Sequence, residues 1–592
     1  MPECPSVLAG SHELRLEGDL GGFTAELRAE AVADGVDRVR LVLTSPVPAQ
    51  PPKVSLAWER PVVDVQGSWG PHVGRRRSMG PNWGGGTVSR VTSGAPVRCL
   101  LNLADRNRLT VACSDALNAV QLRAGVREET AEFVCRIAPF AEPTPPIDRY
   151  EMTVRLDTRD VPYWRALADV ADWWASLPGF APAPVPDVAR RPMYSTWYSF
   201  HQRLDVDSVV GQCELARELG CEAVIVDDGW QTTDSARGYA YCGDWRPERI
   251  ADMRGFVDRV HQTGMKFLLW YSVPHVGKHS QAWARFQGKC LYEIPSHGAA
   301  ILDPRFPDVR EYLIGLYEQA MREWGLDGFK LDFVDCFRPK DDTPLRTGGD
   351  GRDFDSVADA ADRLMGDVIA RLRAIRRDVC VEFRQSYVGP LMRKYGNMFR
   401  AGDCPNDAVT NRVRTIDIRL LCGTTAAHAD MLMWHADDPV EAAALQLLNV
   451  LFSVPQVSVL LDEVPPEHVE MLRFWLAFWN DHRGALMDGT FEPRGAIGLY
   501  PVVAASTEDE RVIAVYDNAV ADIGPAAPPA VFVVNATRAA RVVLECPEPL
   551  GPRTLRTYDC TGTEVDTQSV DPPAGVLSIP VPPSGLVELR AT

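Results

Sequence analysis

After Pro192 short apolar segments alternate with helical patterns, and this rhythm limits the choice of fold more than any other feature of the chain. Helical patterns such as VDSVVGQCELAREL and VREYLIGLYEQAMREW separate eight predicted strands. Eight strand–helix units over about 290 residues predict a parallel (β/α)8 TIM barrel. The alternative is a doubly wound open sheet, although no glycine-rich phosphate loop follows the first strand. The predicted strands are Met193–Ser199, Ala223–Asp228, Lys266–Tyr271, Gly328–Phe333, Val379–Arg384, Asn397–Gly402, Asp430–Trp434 and Val457–Leu461.

Short runs that alternate apolar and polar residues flank this α/β region on both sides. Before it, runs such as HELRLEGDL and YEMTVRLDT predict an N-terminal β-sandwich. After it, runs such as RVIAVYDN and AVFVVNAT predict a small C-terminal antiparallel β-domain. A helical stretch and the proline-rich GFAPAPVPDVARRP connect the sandwich to the barrel. The predicted division is 1–160 for the sandwich, 161–191 for the helix and linker, 192–485 for the barrel and 486–592 for the C-terminal domain.

Charge and cysteine content narrow the class of protein. A formal net charge of −18 argues against nucleic acid or an anionic membrane as a partner. The 14 cysteines lie singly without a CxxC pair, which predicts buried free thiols in a reducing compartment. The N-terminus has no basic start and no sustained apolar stretch, so neither a signal peptide nor a membrane span is predicted. We therefore expect a cytoplasmic globular protein of two to four domains, and homo-oligomer formation stays open.

The segment GFKLDF places Lys330 and Asp332 on either side of one apolar residue. Because successive side chains of a strand alternate between faces, both residues point the same way. A nearby lysine keeps a carboxylate ionised near neutral pH, as a nucleophile must be. Taken alone, such a pair is also typical of a structural ion pair, and the charged residues at other strand ends make it informative.

Acids and aromatic residues dominate the carboxyl ends of the predicted strands, where barrel enzymes carry their functional groups. Aromatic rings cover the apolar face of a sugar, and carboxylates accept hydrogen bonds from its hydroxyl groups. These ends therefore predict a site for an oligosaccharide. The candidate residues are Trp197, Asp227, Asp228, Trp230, Trp270, Lys330, Asp332, Glu382, Arg384, Gln385, Arg400, Asp403, Asp407 and Trp434.

Cleavage of a glycosidic bond through a covalent intermediate requires two carboxyl groups. Asp332 is the predicted nucleophile because Lys330 favours its charged form. Asp403 is the predicted acid/base because it begins a loop after a strand, where a neighbour across the site can raise its pKa.

Several candidates also have a structural interpretation. Asp227 and Asp228 fit turn or helix-capping positions before Gly229. Asp407 fits the cap of the helix that follows it, and Arg400 fits an anchor for a loop carboxylate as well as a ligand contact. These alternatives stay open at the level of the sequence.

Glu382 and Arg384 share one strand face and fit mutual neutralisation inside the barrel mouth. Trp197, Trp270 and Trp434 fit barrel-core packing as well as a ligand wall.

His428, Asp430 and His435 lie around the seventh predicted strand without a known metal-ligand spacing. We therefore predict no metal site and no organic cofactor.

At these positions the chain resembles glycoside hydrolase family 36, the α-galactosidase or melibiase family of clan D. The likeness spans nearly the whole chain, and its most specific pieces are VDDGW, KLD and the aspartate in GDCPNDA. The resemblance implies an N-terminal β-supersandwich, a (β/α)8 barrel and a small C-terminal β-domain. It implies that Asp332 is the nucleophile of a Lys-x-Asp motif and that Asp403 is the acid/base after the sixth strand.

The same resemblance implies which residues hold the sugar. Asp227 and Asp228 match the acids that hold the 4- and 6-hydroxyls of galactose, and Lys330 matches a lysine that contacts the same sugar. Trp197 resembles the tryptophan that walls the −1 subsite.

Two loops depart from the family pattern. The cysteine- and glycine-rich loop after the fifth strand is EFRQSYVGP here, so Glu382, Arg384 and Gln385 occupy that part of the pocket. The WFEPEM-type sequence after the third strand is WYSVPH, without the acids. In the family these loops contribute to the 2-hydroxyl contacts and to the aglycone side. VDDGWQ also resembles the plant branch that includes raffinose-type galactosyltransferases.

The predicted function is a retaining exo-acting α-glycosidase, an α-galactosidase that hydrolyses terminal α-galactosides of oligosaccharides by double displacement. Such a mechanism requires carboxyl groups about 5–5.5 Å apart. Three alternatives stay open: an α-galactosyl transglycosylase, an α-glycosidase for an α-glucoside or an α-N-acetylgalactosaminide, and an inactive carbohydrate-binding barrel.

Overall fold

The computed structural model describes residues 5–71, 74–346 and 349–592. Over these residues a β-sandwich, an eight-stranded barrel and a C-terminal β-domain follow one another along the chain, as predicted. No helix in these ranges is both long enough and apolar enough to cross a bilayer. Thirteen of the cysteines lie in them as free thiols, most of them buried, whereas Cys4 lies outside the described residues.

In the described part of the N-terminal region, twelve strands form two antiparallel sheets of six. Their bounds are β1 (Ser6–Ala9), β2 (His12–Asp19), β3 (Thr24–Ala33), β4 (Val36–Ala49), β5 (Lys53–Pro61), β6 (Gly67–Trp69), β7 (Thr87–Ser89), β8 (Val97–Leu101), β9 (Asn107–Cys113), β10 (Val120–Arg127), β11 (Glu132–Ala138) and β12 (Ile147–Asp157). The strand orders are β1-β2-β5-β11-β10-β7 and β3-β4-β12-β9-β8-β6. Alternating burial confirms the predicted pattern, since Leu14 and Leu16 of β2 face the core while their neighbours do not.

Helix α1 (Tyr163–Ala175) and the proline-rich segment lead from the sandwich to the barrel. The segment ends in a 3-10 turn over Asp187–Arg190, and Ala189 of this turn is buried against the amino ends of several barrel strands. One end of the barrel is thus closed, and functional groups are expected at the other end.

The central region alternates strands with helices. The strands are β13 (Met193–Ser195), β14 (Ala223–Val226), β15 (Lys266–Ser272), β16 (His275–Gly277), β17 (Cys290–Ile294), β18 (Ala299–Leu302), β19 (Gly328–Asp332), β20 (Cys380–Arg384), β21 (Met398–Arg400), β22 (Ala426–His428) and β23 (Gln456–Val457). The helices are α2 (Trp197–Phe200), α3 (Val206–Glu218), α4 (Met253–Gln262), α5 (Gln281–Phe286), α6 (Pro307–Trp324), α7 (Val357–Ile375), α8 (Met392–Tyr395), α9 (Ala408–Cys422), α10 (Val440–Leu448) and α11 (Pro466–Asp481).

Among the described strands, eight form one parallel sheet in the order β22-β21-β20-β19-β15-β14-β13-β23. A parallel bridge between His428 and Val454 brings the two edges together, so the barrel is nearly closed. Strands β16, β17 and β18 form a small antiparallel sheet beside β15. The predicted (β/α)8 barrel is confirmed, and the open doubly wound sheet is not what the chain forms.

The seventh strand was predicted at the wrong place. The strand is β22, whereas the apolar segment Asp430–Trp434 lies beyond its carboxyl end. That segment is apolar because it is largely buried between β22 and β23, where Leu432 bridges to Val457. The small residues of β22 carry little strand signal of their own.

The C-terminal region consists of two packed sheets in the described residues. The strands are β24 (Thr490–Arg494), β25 (Val502–Ser506), β26 (Glu510–Val515), β27 (Val520–Asp522), β28 (Ala530–Asn535), β29 (Arg541–Cys546), β30 (Arg553–Tyr558), β31 (Glu564–Val570), β32 (Gly575–Pro580) and β33 (Leu586–Ala591). The orders are β24-β25-β26-β28-β33-β30-β31 and β27-β29-β32. Most pairs are antiparallel as predicted, but β26 pairs with β28 and β27 with β29 in parallel.

All three regions meet at one buried carboxylate of helix α9. Asp417 accepts hydrogen bonds from the Trp69 indole at 3.0 Å and from the Arg77 guanidinium at 2.7 and 2.8 Å, both from the sandwich. It also accepts one from the Tyr500 hydroxyl of the C-terminal domain at 2.5 Å. Helix α9, which follows the Asp403 loop, is therefore held from both sides.

Candidate active site

Strand β19 brings Lys330 and Asp332 to the open end of the barrel. Both residues are buried, with 4% and 6% of their surface exposed. The register of the parallel sheet places Lys330 beside Trp270 and Asp332 beside Ser272 of β15. Lys330 bonds to Asp227 and Asp332 bonds to Trp270, both at the mouth of the barrel. These contacts are consistent with the prediction that Lys330 and Asp332 share one face of the strand.

Asp332 accepts four hydrogen bonds, distributed unequally between its two oxygens. Oδ1 accepts from the Arg384 Nε at 2.9 Å, from the Phe333 backbone N–H at 2.7 Å and from the Tyr387 hydroxyl. Oδ2 accepts from the Trp270 indole alone, at 3.0 Å. Since a carboxylate oxygen has two lone pairs, Oδ2 is the oxygen that remains available to a ligand.

The charges around Asp332 keep it ionised. Burial alone would raise its pKa, but the charges of Arg384 and Lys330 and the hydrogen bonds from Tyr387 and Trp270 outweigh burial. Together they hold the pKa of Asp332 well below its usual range. Arg384 is the larger cationic contribution, and sequence reasoning named Lys330 alone.

Lys330 makes its own hydrogen bond to Asp227 and not to Asp332. The backbone N–H of Asp227 donates to the Thr196 hydroxyl at 2.9 Å. The next helix, α4, begins only at Met253 and is capped by Asp252, so Asp227 caps no helix. The lysine therefore connects β19 to Asp227, one of the predicted sugar-binding acids, across the mouth of the barrel.

Asp228 is buried between two amides. Its Oδ2 accepts from Gln202 Nε2 at 2.6 Å, and its Oδ1 accepts from Gln231 Nε2 at 2.7 Å. The turn allows this because Gly229 has φ +114°, and a Cβ there would lie 2.5 Å from the Gln202 Cα. Burial raises the pKa of Asp228 to about 6, although the two amide bonds oppose the rise.

This raised pKa makes a stability prediction for Asp228→Asn. The folded pKa lies above the unfolded value, so the carboxyl's contribution to stability is present below the unfolded pKa and is lost as pH rises through about 6. Between pH 4 and pH 8 the wild type should lose about 2 kcal/mol of unfolding free energy relative to the variant. Chemical denaturation of both proteins at the two pH values measures the difference, and a pH-independent difference would contradict the assignment.

Asp403 lies three residues beyond the end of β21, with 48% of its side chain exposed. Its Oδ1 accepts from Arg400 Nη2 at 2.9 Å. Arg400 is itself buried and forms ion pairs with Asp430 and, at 3.5 Å, with Glu382. One guanidinium thus faces three carboxylates, and the interpretation of Arg400 as an anchor for a loop carboxylate is confirmed.

Further hydrogen bonds fix the loop that carries Asp403. The Cys404 backbone N–H donates to Asp430 Oδ2 at 2.5 Å, and the Gly402 backbone N–H donates to Gln385 Oε1 at 3.1 Å. Gln385, a predicted sugar contact, therefore also holds the loop of the predicted acid/base.

The expectation that the pKa of Asp403 is raised is wrong. Burial raises the pKa, but the positive charges of Arg400, Lys330 and Arg384 outweigh it and lower the pKa of Asp403 below its ordinary value. Lys330 and Arg384 also lower the pKa of Asp332. Two cations therefore act on both predicted catalytic carboxylates, as residues that share one mouth do.

Glu382 and Arg384 do not neutralise each other, in contrast to the sequence interpretation. Arg384 pairs with Asp332 at 2.9 Å. Glu382 is fully buried, accepts from Gln456 Nε2 at 2.5 Å and faces Arg400. Alternation along β20 places Glu382 and Arg384 on one face. The register of the sheet nevertheless pairs Arg384 with a residue of β19 and brings Glu382 close to a residue of β21.

Two of the predicted tryptophans lie at the mouth. Trp270 holds Asp332 through its indole N–H. Trp197 is half-buried at the start of α2, two residues after β13, and its ring meets His201 edge-on at 4.5 Å. Their prediction as ligand-wall residues is consistent with these positions.

The other two tryptophans, Trp230 and Trp434, are buried inside the protein, which fits the core-packing interpretation that the sequence left open for Trp434. The Trp230 ring packs against Tyr271 and Trp324, on the face of β15 opposite to Trp270. Trp434 is buried and donates to His468 Nδ1 of α11 at 3.0 Å. Both tryptophans lie between the barrel strands and the surrounding helices. The sequence pattern did not distinguish these buried positions from positions at the mouth of the barrel.

Asp407 has the structural role of a helix cap. It accepts from the Thr410 backbone N–H at 3.0 Å at the start of α9, and it pairs with Arg75 at 2.6 Å. Both contacts fit the helix-cap interpretation that the sequence left open for Asp407.

His428, Asp430 and His435 do not come together. His428 Nε2 lies 2.8 Å from the Ala189 carbonyl oxygen, Asp430 pairs with Arg400, and His435 is exposed. Among the residues that the structure describes, no group of three or more His, Cys, Asp or Glu side chains is placed to hold a metal ion.

Three site residues were missed by sequence reasoning. Tyr387, Gln202 and Tyr239 lie in loops where no periodic pattern marks them. Tyr387 falls inside EFRQSYVGP, the loop already noted as unusual, so its aromatic hydroxyl was the signal available. Gln202 and Tyr239 gave no comparable signal.

Comparisons with known proteins agree with the fold and with the strand-end motifs. Residues 187–339 match the family model of Melibiase. An A type blood α-D-galactosamine galactosaminidase of Flavonifractor plautii is 24% identical over 184 residues, which cover 27% of this chain and 16% of that protein. The α-galactosidase AgaA of Geobacillus stearothermophilus is 27% identical over 139 residues, or 22% of this chain and 18% of that protein. The matched segments are thus a small part of both relatives.

Solved structures match over almost the whole chain. A variant of the GH36 α-galactosidase AgaA from Geobacillus stearothermophilus, in complex with stachyose, superposes with a TM-score of 0.63 at 15% identity. The match covers 98% of this chain and 83% of that chain. The resemblance expected from the sequence is therefore confirmed: residues 187–339 match the Melibiase model, and nearly the whole chain shares its fold with a GH36 α-galactosidase.

Proposed function

We propose that this chain is a retaining exo-acting α-glycosidase that removes terminal α-galactosyl residues from oligosaccharides. The observation that carries the proposal is the environment of Asp332. This carboxylate is buried and ionised, and it keeps one oxygen available at the mouth of a barrel. The same two cations act on it and on Asp403, the second carboxyl group that the reaction requires.

In the first step Asp332 Oδ2 attacks the anomeric carbon while the bond to the leaving oxygen breaks. Asp403 gives its proton to that oxygen, so the leaving group departs as a neutral alcohol. The product is a glycosyl ester of Asp332. The three hydrogen bonds on Oδ1 fix the carboxylate for this attack without occupying the reacting oxygen.

In the second step Asp403 takes a proton from water, and the water oxygen attacks the anomeric carbon from the opposite side to Asp332. The ester bond breaks, and the sugar leaves with its original anomeric configuration. For the first step Asp403 must carry a proton. We expect bound sugar to raise the pKa of Asp403, because the sugar covers the exposed half of this side chain and burial raises the pKa of a carboxyl group.

Galactose as the glycone is supported by the polar groups beside Asp332. Asp227 with Lys330, and Asp228 with its two amides, present carboxylate oxygens that accept from sugar hydroxyls. They match the family residues that hold the 4- and 6-hydroxyls. The structural relative that binds stachyose, an α-galactoside, agrees with an oligosaccharide as substrate.

A panel of aryl α-glycosides tests the proposal. We expect turnover of the α-galactoside to exceed that of the α-glucoside and the α-N-acetylgalactosaminide, and we expect proton NMR to show the α-anomer as the first free sugar. Turnover of another member of the panel would redirect the glycone, and the β-anomer would refute retention. Absence of any turnover would favour the inactive carbohydrate-binding barrel.

Galactosyl transfer to a second sugar is the other candidate, and one cavity favours it. A cavity of about 450 Å³ adjoins Asp403 and is bounded by Gly94 of the sandwich and by Gln385 and Arg414 of the barrel. It is large enough for an acceptor sugar on the leaving-group side. Product analysis at increasing acceptor concentration decides, because a hydrolase yields free galactose whereas a transferase yields a new oligosaccharide.

A further inference from the structure

The loop that carries Tyr239 is fixed to the mouth of the barrel. The backbone N–H of Arg237 donates to Gln202 Oε1 at 2.6 Å, and the other end of the Gln202 amide donates to Asp228. The backbone N–H of Tyr239 donates to the His297 carbonyl oxygen at 3.2 Å. The position of Tyr239 is thus tied both to a predicted sugar-binding acid and to the small sheet beside β15.

Aromatic neighbours hold the Tyr239 ring. Its centroid lies 5.0 Å from His275, 4.9 Å from His297, 5.0 Å from Phe333 and 6.5 Å from Trp270. Phe333 follows the predicted nucleophile in sequence, and Trp270 donates to that nucleophile. The ring is therefore ordered before any ligand binds, at the side of the Asp332 carboxylate.

The Tyr239 hydroxyl makes no hydrogen bond to any residue in the described ranges, although the side chain is half-buried. Burial raises the pKa of Tyr239, and the charges of Asp332 and Asp228 raise it further. The phenol is therefore neutral at neutral pH and near both carboxylates. A half-buried hydroxyl in such a place, without a protein partner, is available to a ligand.

The wall behind Tyr239 is uncharged. Ser272 Oγ lies 2.6 Å from His275 Nδ1, and His275 Nε2 lies 3.0 Å from His297 Nδ1. Burial lowers the pKa of His275 to about 3, so its imidazole is neutral at neutral pH. The residues of WYSVPH that stand in place of the family's acids thus form a neutral, hydrogen-bonded support for the tyrosine ring.

We propose that Tyr239 contacts the glycone directly, and that its hydroxyl forms a hydrogen bond with one hydroxyl group of an uncharged sugar lying between Asp332 and Asp228. This inference rests on the proposed function, since it places a sugar ring at Asp332. It adds a specificity-determining residue that sequence motifs do not mark.

The test compares wild type, Tyr239→Phe and Tyr241→Phe on an aryl α-glycoside and its monodeoxy analogues. Tyr241 is the matched control, because it lies in the same loop but is exposed, with its ring against His279 at 5.0 Å. We expect Tyr239→Phe to lower kcat/KM on the parent glycoside by roughly 5- to 20-fold. For one deoxy analogue, which lacks the partner hydroxyl, wild type and Tyr239→Phe should be equal, and Tyr241→Phe should match wild type throughout.

Equal loss on every analogue would show that the hydroxyl orders the protein and not the sugar, and no loss on the parent would remove the contact altogether. Either result overturns the proposal. If wild type hydrolyses no member of the panel, the proposed function fails separately. Titration calorimetry with galactose, glucose and N-acetylgalactosamine then tests the contact. We expect Tyr239→Phe to bind the sugar more weakly than wild type does. Equal binding by the two proteins, or no binding by wild type, overturns the proposal.

Discussion

Asp332→Asn should lower kcat/KM by roughly 10⁴-fold or more while the protein keeps its fold. The amide cannot form the glycosyl ester, and it cannot balance the charges of Arg384 and Lys330. Steady-state kinetics on the preferred aryl glycoside measure the loss, and circular dichroism with thermal unfolding verifies the fold. Activity close to that of wild type would refute the nucleophile assignment.

Asp327→Asn is the matched control for this variant. Asp327 lies immediately before β19, at the closed end of the same strand, and is buried against Arg376 at 2.7 Å and Lys266 at 3.1 Å. Its loss should cost about 2 kcal/mol of unfolding free energy and leave kcat/KM within a few-fold of wild type. The comparison separates loss of a buried carboxylate from loss of the nucleophile.

Asp403→Ala should have an effect that depends on the leaving group. For alkyl glycosides and oligosaccharides, which need a proton on the departing oxygen, we expect a loss of about 10²- to 10⁴-fold in kcat/KM. For a dinitrophenyl glycoside, whose leaving group needs no proton, the loss should be about 10-fold or less. The alkaline fall of the kcat profile should also disappear, because the group whose deprotonation causes it is gone.

Azide distinguishes the two carboxylates by stereochemistry. In Asp403→Ala it should capture the glycosyl ester of Asp332 and give the α-glycosyl azide, whereas in Asp332→Gly it should replace the nucleophile and give the β-glycosyl azide. Asp407→Ala, in the same loop as Asp403, should keep activity and lose about 1 kcal/mol of stability through its helix cap. The same azide anomer from Asp403→Ala and Asp332→Gly would contradict the assigned roles of the two carboxylates.

Sequence periodicity predicted the order and type of the main elements because each strand and helix has its own local pattern. It failed at β22, where Ala426–His428 carry almost no strand signal and the adjacent apolar segment Asp430–Trp434 is buried for another reason. Hydrophobicity reports burial, and it indicates a strand only when burial and extended backbone coincide.

The residues of the site were easier to predict than their partners. Alternation along β19 correctly placed Lys330 and Asp332 on one face, but it could not tell that Lys330 binds Asp227 and that Arg384 binds Asp332. Such pairs depend on the register between strands, which is a property of the folded sheet. Tyr387 and Tyr239 were missed for a related reason, since loop residues reach the site through backbone geometry that leaves no repeat in the sequence.

The contact at Asp417 bears on how such a protein can be divided. An excised barrel would keep both proposed catalytic carboxylates but would lose Arg77 and Trp69 from one side and Tyr500 from the other. A buried anion would then stand without its cation, on the helix that begins five residues after Asp403. We therefore expect the smallest autonomous unit to be larger than the barrel, because genetic fusions or truncations at the apparent domain borders would remove contacts that support the helix after the proposed proton donor.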